Sequence, residues 1–161
     1  MKPNNHLNIV KNSPFGKDLS EAQCQTLAAI IDIRHLKAGE ALIAEGEVDH
    51  TLYVPISGKL SVVKTISGGQ EEQLHVLAPG ELTGTRGFLD GKEPSATLRA
   101  LTDTQLFCIE QAKFEQLISS EPTIVYQVMR AIVRDIHGIV SNMNNSHVAL
   151  SNYINRQHGR Y

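Results

Sequence analysis

The side chains that could carry out chemistry in this chain of 161 residues are few and widely separated. Cys24 and Cys108 form no Cys-x-x-Cys pair and have no histidine at the spacing that metal ligands use. His137 and His147 lie on the same stretch but are not spaced i, i+4. The sequence also contains no Gly-x-Ser-x-Gly, His-Glu-x-x-His or phosphate-loop motif. These observations predict that the protein is not an enzyme, has no catalytic residues and holds no metal.

The composition is that of an ordinary globular protein, with 41% hydrophobic and 20% charged residues. Because the sequence has neither an apolar run of about 18 residues nor a secretory leader, we expect a cytoplasmic protein that does not enter a membrane. The net charge is −2, although the last forty residues carry four arginines against one aspartate. This basic patch is too thin to predict direct DNA binding.

The pattern of elements predicts a β domain between helices. Ser20 with Gln23 forms a capping-box pattern, and Leu27, Ile30 and Ile31 provide the apolar face of a short helix. From His35 onward, short β-like segments are separated by glycines about every ten residues, which is the rhythm of an antiparallel sandwich or barrel. Leu60, Val62 and Lys64 alternate with polar or outward positions, as a half-buried strand requires. Gly68–Gly69 predicts a hairpin turn.

Helical patterns return over residues 111–118 and in a longer segment that begins near Pro122, a residue suited to a first helical turn. Apolar residues of the long segment follow an eleven-residue repeat and predict a helical interface with a second subunit. The residues assigned to this dimer interface are Val128, Ile132, Ile136, Ile139 and Met143. From Asn142 the sequence NMNNSH is a weak helix former, so we expect the helix to fray there.

Two stretches carry a resemblance to a known family. They are Leu36–Val63, with Gly-Glu, Leu-Tyr and Ser-Gly-Lys in step, and Pro79–Ala100, PGELTGTRGFLDGKEPSATLRA. They resemble the cyclic nucleotide-binding domain of the catabolite-activator and Fnr superfamily, including its phosphate-binding cassette. The resemblance implies a mainly β fold with flanking helices: a double-stranded antiparallel β-roll, jelly-roll-like, with an N-terminal helix and a long C-terminal helix. It implies a β-roll domain over residues 1–121 and a dimerisation helix with its tail over 122–161.

In that family, a cassette arginine binds the phosphate of the nucleotide and a glutamate binds its ribose. Here Thr85 stands at the glutamate position and Pro94 at the arginine position, so neither charge is present. The degenerate ligand site implied by the resemblance consists of Gly84, Thr85, Arg86, Pro94, Ser95 and Ala96. Arg86 or Lys92 is a candidate for the missing positive charge. No cofactor is expected, with a cyclic nucleotide as the open alternative.

Three functions fit this sequence. The first is a bacterial, non-catalytic regulatory or signalling module that forms a homodimer through its C-terminal helix and acts on a protein partner. The second is a receptor for cyclic AMP, cyclic GMP or another nucleotide, with compensating residues. The third is a truncated regulator that pairs with full-length transcription factors, since the chain ends at Tyr161 and the family's winged-helix DNA-binding domain is not expected in the remaining residues.

Overall fold

Seven antiparallel strands form two sheets that face each other as a β-roll. The computed structural model describes residues 3–158, with side chains described for residues 5–153. One sheet has the order β1-β7-β3 and the other the order β2-β6-β4-β5. The strands are β1 (Ile31–Leu36), β2 (Ala41–Ile43), β3 (Thr51–Ser57), β4 (Leu60–Thr65), β5 (Glu71–Leu77), β6 (Thr97–Ala100) and β7 (Thr104–Glu110). The predicted β-roll is confirmed, as is the hairpin at Gly68–Gly69 between β4 and β5.

The N-terminal region is more helical than its sequence indicates. Helix α1 (Pro3–Lys11) and a 3-10 turn precede helix α2 (Glu21–Ala28). The sequence does not predict the first of these helices. Val10 and Phe15 are nevertheless fully buried, because they pack into the core beneath the three-stranded sheet. Two buried apolar side chains in a polar segment give too weak a period to predict a helix.

Helix α2 begins as predicted and ends earlier. The side chain of Ser20 accepts a hydrogen bond from the Gln23 backbone N–H, and Gln23 reciprocates to the Ser20 backbone, so the capping box is confirmed. The expected helical face at Ile30 and Ile31 is wrong, because β1 already starts at Ile31 and pairs with Ile109 of β7. β-Branched residues favour a strand once a partner strand is available.

The protein has two apolar cores, one on each side of the three-stranded sheet. The outer core packs that sheet against the helices and includes Leu27, Leu52, Phe107, Ile124 and Ile132. The inner core fills the space between the two sheets of the roll; its members are Leu36, Leu42, Ile43, Tyr53, Leu60, Leu77, Leu98, Ala100, Leu106 and Cys108. Both cysteines are free and buried.

Three helices follow the last strand: α4 (Gln111–Glu115), α5 (Leu117–Ser120) and the long α6 (Pro122–His158). The predicted start at Pro122 is confirmed. The expected fraying at Asn142 is wrong, because α6 continues as one helix through NMNNSH. Within the part of the chain that the structure describes, no helix is both long enough and apolar enough to cross a membrane.

Candidate functional site

The connection between β5 and β6, residues 78–96, is the segment that the sequence marks as a ligand site, and we refer to it as the cassette. It contains helix α3 (Thr85–Asp90), whose N-cap is Gly84 with φ of +78°. Thr83 exchanges two backbone hydrogen bonds with Tyr53 of β3, with N···O distances of 2.9 and 3.0 Å. The cassette is therefore attached to the first residues of β3 just before α3 begins.

Two glycines allow α3 to approach neighbouring backbone. A Cβ atom on Gly84 would lie 2.4 Å from the Thr51 carbonyl oxygen, and one on Gly87 would lie 2.0 Å from that of Asp49. Both distances are shorter than real contacts of Cβ atoms, so only glycine fits at either position. Gly84 thus permits α3 to begin close to the backbone of β3.

The structure places the predicted cassette residues at the surface. Arg86 and Ser95 are exposed, whereas Gly84, Thr85, Pro94 and Ala96 are half-buried. Among the described residues, neither Arg86 nor the equally exposed Lys92 has a hydrogen bond or ion-pair partner. The charged groups of these two residues, which the sequence offers as replacements for the missing arginine, are therefore not fixed in place by any contact within the described part of the chain.

A different cation contacts the cassette. The Lys64 ammonium of β4 donates to the Ser95 backbone carbonyl at 2.6 Å and to the Glu45 carboxylate at 2.5 Å. The hydrogen bond from Lys64 is the main cause that lowers the pKa of Glu45 below its ordinary value. Sequence reasoning did not assign Lys64 to the site. The only signal in the sequence was the position of Lys64 two residues after Val62 in the alternating strand.

The end of the cassette is also joined to the loop between β2 and β3. The Gly46 N–H donates to the Pro94 carbonyl at 3.2 Å, and the Glu45 N–H donates to the Thr97 hydroxyl at 3.0 Å. Glu45 is therefore fixed by its backbone on β6 and by its side chain on Lys64. The β2–β3 loop, the cassette and β4 therefore meet at the ion pair between Glu45 and Lys64.

A second polar group that the sequence did not reveal lies beside the N-terminal end of the cassette. The buried Tyr53 hydroxyl donates to the Asp49 carboxylate at 2.6 Å and accepts from Arg34 at 3.4 Å. Burial is the main cause that raises the Tyr53 pKa, and the Asp49 contact adds to it. This tyrosine stays neutral and ties the segment before β3 to the roll.

Phe88 and Leu98 are the side chains that could fill the space beneath the cassette, and they point to different cores. Phe88 belongs to the outer core, where its ring centroid is 5.3 Å from that of Phe114. Leu98 belongs to the inner core of the roll. Leu98 thus lies inside the roll, whereas Phe88 packs on the opposite side of the three-stranded sheet.

The predicted dimer interface of α6 divides into two sets. Val128 and Ile132 are fully buried in the protein's own outer core, so they offer no surface to a second subunit. Ile136, Ile139 and Met143 are exposed. The expected eleven-residue seam is wrong in its first half, because it runs from the buried face of the helix onto the exposed face.

A heptad pattern describes the exposed face of α6 better than the eleven-residue repeat does, because apolar residues or a histidine recur there at alternating steps of three and four. We call this set the α6 stripe: Tyr126, Met129, Val133, Ile136, Val140, Met143, His147 and Leu150. Every side chain of the α6 stripe is exposed except that of Met129, which is half-buried. The side chain of Ile154, which would continue the pattern, lies outside the described residues.

Helix α6 also contacts the part of the cassette that precedes α3. The Asp135 carboxylate faces the backbone of Leu82, and burial is the main cause that raises its pKa. On the 3-10 turn, Asp18 accepts from Arg134 at 2.6 Å. The first half of α6 is thereby fixed to its own domain through apolar contacts and these two acidic residues.

The described residues contain no group of three or more histidines, cysteines or acidic side chains that could hold a metal ion. A surface pocket of about 250 Å³ lies at the far end of the three-stranded sheet, lined in part by His35, Ser57 and Gln105. β3 meets the cassette at its first residues and this pocket at its last. The pocket and the cassette are therefore separate.

The sequence profile of the cyclic nucleotide-binding domain matches residues 33–121. This chain belongs to that family. A search among characterised proteins finds the cyclic AMP receptor protein of Thermus thermophilus, 30% identical over 125 residues, which are 78% of this chain and 58% of that protein. The chain thus spans less than two thirds of that relative's length.

Solved structures of cyclic nucleotide-binding domains share this fold. A domain from Methylobacillus flagellatus superposes with a TM-score of 0.79 at 18% identity, over 91% of this chain and 83% of that one. The catabolite activator protein of Thermus thermophilus superposes with a TM-score of 0.69 at 27% identity, over 84% of this chain and 63% of that one. The family resemblance and the β-roll expected from the sequence are confirmed.

Proposed function

We propose that this chain is a non-catalytic regulatory module of the cyclic nucleotide-binding fold, acting through protein contacts and not binding cyclic AMP in the family's usual way. The observation that carries the proposal is the chemistry of the cassette. Thr85 has no carboxylate for a ribose hydroxyl, and Pro94 has neither a guanidinium nor an N–H for a phosphate. The residues present do not fit a cyclic nucleotide held by the family's two charges.

Self-association through α6 is the second part of the proposal. In heptad terms the α6 stripe has Val133 and Val140 at a positions and apolar residues at its d positions, a pattern that suits coiled-coil packing against a second helix. The stripe lies next to the face that covers the protein's own core, so one helix serves both contacts. In the dimer, Ile136 and Met143 of each copy would be shielded from water. The homodimer would present the two β-rolls to a further protein partner, in the cytoplasm and without contact to DNA or membrane.

The nucleotide-receptor alternative gains support from Lys64, because a positive charge already touches the cassette at Ser95. In that case a nucleotide would bind with a lysine in place of the arginine. The truncated-regulator alternative draws on the same α6 stripe, which could pair with a foreign helix of similar pattern.

The experiment that tests the proposal is calorimetric titration with cyclic AMP, cyclic GMP and a cyclic dinucleotide. We expect no binding at micromolar concentrations. The double variant Thr85→Glu, Pro94→Arg restores both missing charges and serves as the positive control, for which we expect cyclic nucleotide binding. Micromolar binding by the unaltered protein would refute the first proposal and establish the receptor alternative.

A further inference from the structure

Lys64, Glu45 and Ser95 come from three segments that are distant in sequence, yet their polar atoms meet at the end of the cassette. Lys64 lies on β4, Glu45 on the β2–β3 loop and Ser95 just before β6. The Lys64 ammonium touches a carboxylate and a carbonyl at 2.5 and 2.6 Å. A cation is therefore held where the cassette itself provides none.

The position of Glu45 is fixed independently of its ion pair. Its backbone N–H donates to the Thr97 hydroxyl, and the next residue donates to the Pro94 carbonyl. Because these backbone contacts hold the loop, the carboxylate is presented to Lys64 without help from the side-chain pair. Glu45 is therefore an internal anion that binds the Lys64 ammonium at the end of the cassette.

We propose that Lys64 is the cation of an anion-binding site at the cassette, and that Glu45 occupies this site until the phosphate or carboxylate group of a small ligand displaces it. The inference deepens the proposed function and rests on it for the loss of the cassette arginine. It does not depend on α6 or on self-association.

The exposure of the pair makes displacement feasible. The side chain of Lys64 is 40% exposed and that of Glu45 is 32% exposed, so water and ions reach both. Ion pairs of this kind contribute little because solvent screens them, and an external anion can compete. Glu45 is ionised at neutral pH, as the depressed pKa of its carboxyl requires.

The chemistry of lysine indicates the class of ligand. An ammonium is a compact point charge with rotatable donors, which suits one oxygen of a phosphate or carboxylate better than two-point binding of a planar group. Val62 of the same strand and Leu98 of β6 contribute to the apolar interior of the roll. The ligand class is thus a small molecule with an oxyanion group, recognised without the ribose contact.

The test is a titration of the 15N-labelled protein with sodium phosphate at constant ionic strength, balanced with sodium chloride and followed on the amides of Glu45, Ser95 and Ala96. Glu45→Gln removes the internal anion and should tighten phosphate binding by about two- to fivefold, which corresponds to an exposed ion pair of up to about 1 kcal/mol. Lys64→Gln should abolish the response. Lys59→Gln, at an exposed lysine just before β4 and outside the cassette, is the matched control and should leave binding unchanged.

Two results would overturn the site: an undiminished response in Lys64→Gln, or no tightening in Glu45→Gln. Either would assign the phosphate response to other groups. Inorganic phosphate requires neither base nor ribose recognition and does not act through α6. Failure here would leave the nucleotide titration and the self-association result unaffected, so the two proposals can fail separately.

Discussion

At the scale of single residues, the shape of the cassette depends on backbone contacts that side chains would prevent. Gly84 and Gly87 place α3 against the carbonyls of Thr51 and Asp49. The polar groups around it, Tyr53 with Asp49 and Lys64 with Glu45, then fix the loop before β3 to the roll. The cassette keeps its form through packing and backbone hydrogen bonds, although the charges that serve nucleotide binding elsewhere in the family are missing.

A pair of glycine substitutions tests this packing. Gly87→Ala forces a Cβ into the Asp49 carbonyl and should lower the free energy of unfolding by about 1–3 kcal/mol, the usual cost of overpacking. Gly138→Ala is the matched control, since it also lies in a helix but has open space around it. It should raise the free energy of unfolding by about 0.5–1 kcal/mol through better helix propensity. Urea denaturation at fixed protein concentration measures both, and equal effects would contradict the close approach.

The sequence predicts some of these residues and misses others for a physical reason. Gly84 could be assigned to the cassette because a glycine is expected at that place in a recognisable motif. Lys64 could not, because its two partners lie in the β2–β3 loop and just before β6, and only the folded sheet brings both of them to β4. Contacts between three separate segments leave no local pattern to read.

At the scale of elements, α6 is one helix with two neighbouring apolar faces. One face, with Val128 and Ile132, completes the outer core, and the other is the α6 stripe. The sequence predicts the start of the helix at Pro122 because the apolar period is strong, but it does not predict the full length, since the helix continues past Asn142. It does not predict which face meets the protein's own sheet, and the eleven-residue seam mixed residues of both faces for that reason.

Ile136→Asp tests the stripe as a contact between copies. A charge in a coiled-coil seam is strongly unfavourable, so we expect the molar mass to fall from twice 17.7 kDa to 17.7 kDa without loss of helix or strand content. Ile118→Asp is the control, because Ile118 is exposed on α5, outside the stripe. Light scattering coupled to size-exclusion chromatography and far-UV circular dichroism report the two quantities. An unchanged mass for Ile136→Asp would remove the stripe from the proposed interface.

At the scale of the whole molecule, ion pairs join elements that lie far apart in sequence. Arg134 of α6 pairs with Asp18, and Lys37 pairs with Asp103 across the end of the three-stranded sheet. Each lysine or arginine donates a hydrogen bond that lowers the pKa of its carboxyl partner. Asp135 is the exception, because burial raises its pKa. The molecule therefore contains carboxyl groups with opposite effects on stability as the pH changes.

The stabilising and the destabilising carboxyl group can be distinguished by comparing Asp18→Asn with Asp135→Asn. A carboxyl whose folded pKa is depressed stabilises the fold at neutral pH, and it loses that contribution as the pH falls from its unfolded pKa of about 4 through the lower folded pKa. Asp18→Asn should therefore lower the Tm at pH 7 and change it little at pH 3.

Asp135 has a raised folded pKa, so its ionised form costs stability at neutral pH. Asp135→Asn keeps an acceptor for the Leu82 backbone and should raise the Tm at pH 7, with the difference vanishing in acid. Thermal melts at both pH values decide the matter, and a Tm lowered at pH 7 by Asp135→Asn would mean that the ionised carboxylate stabilises the contact between α6 and the cassette.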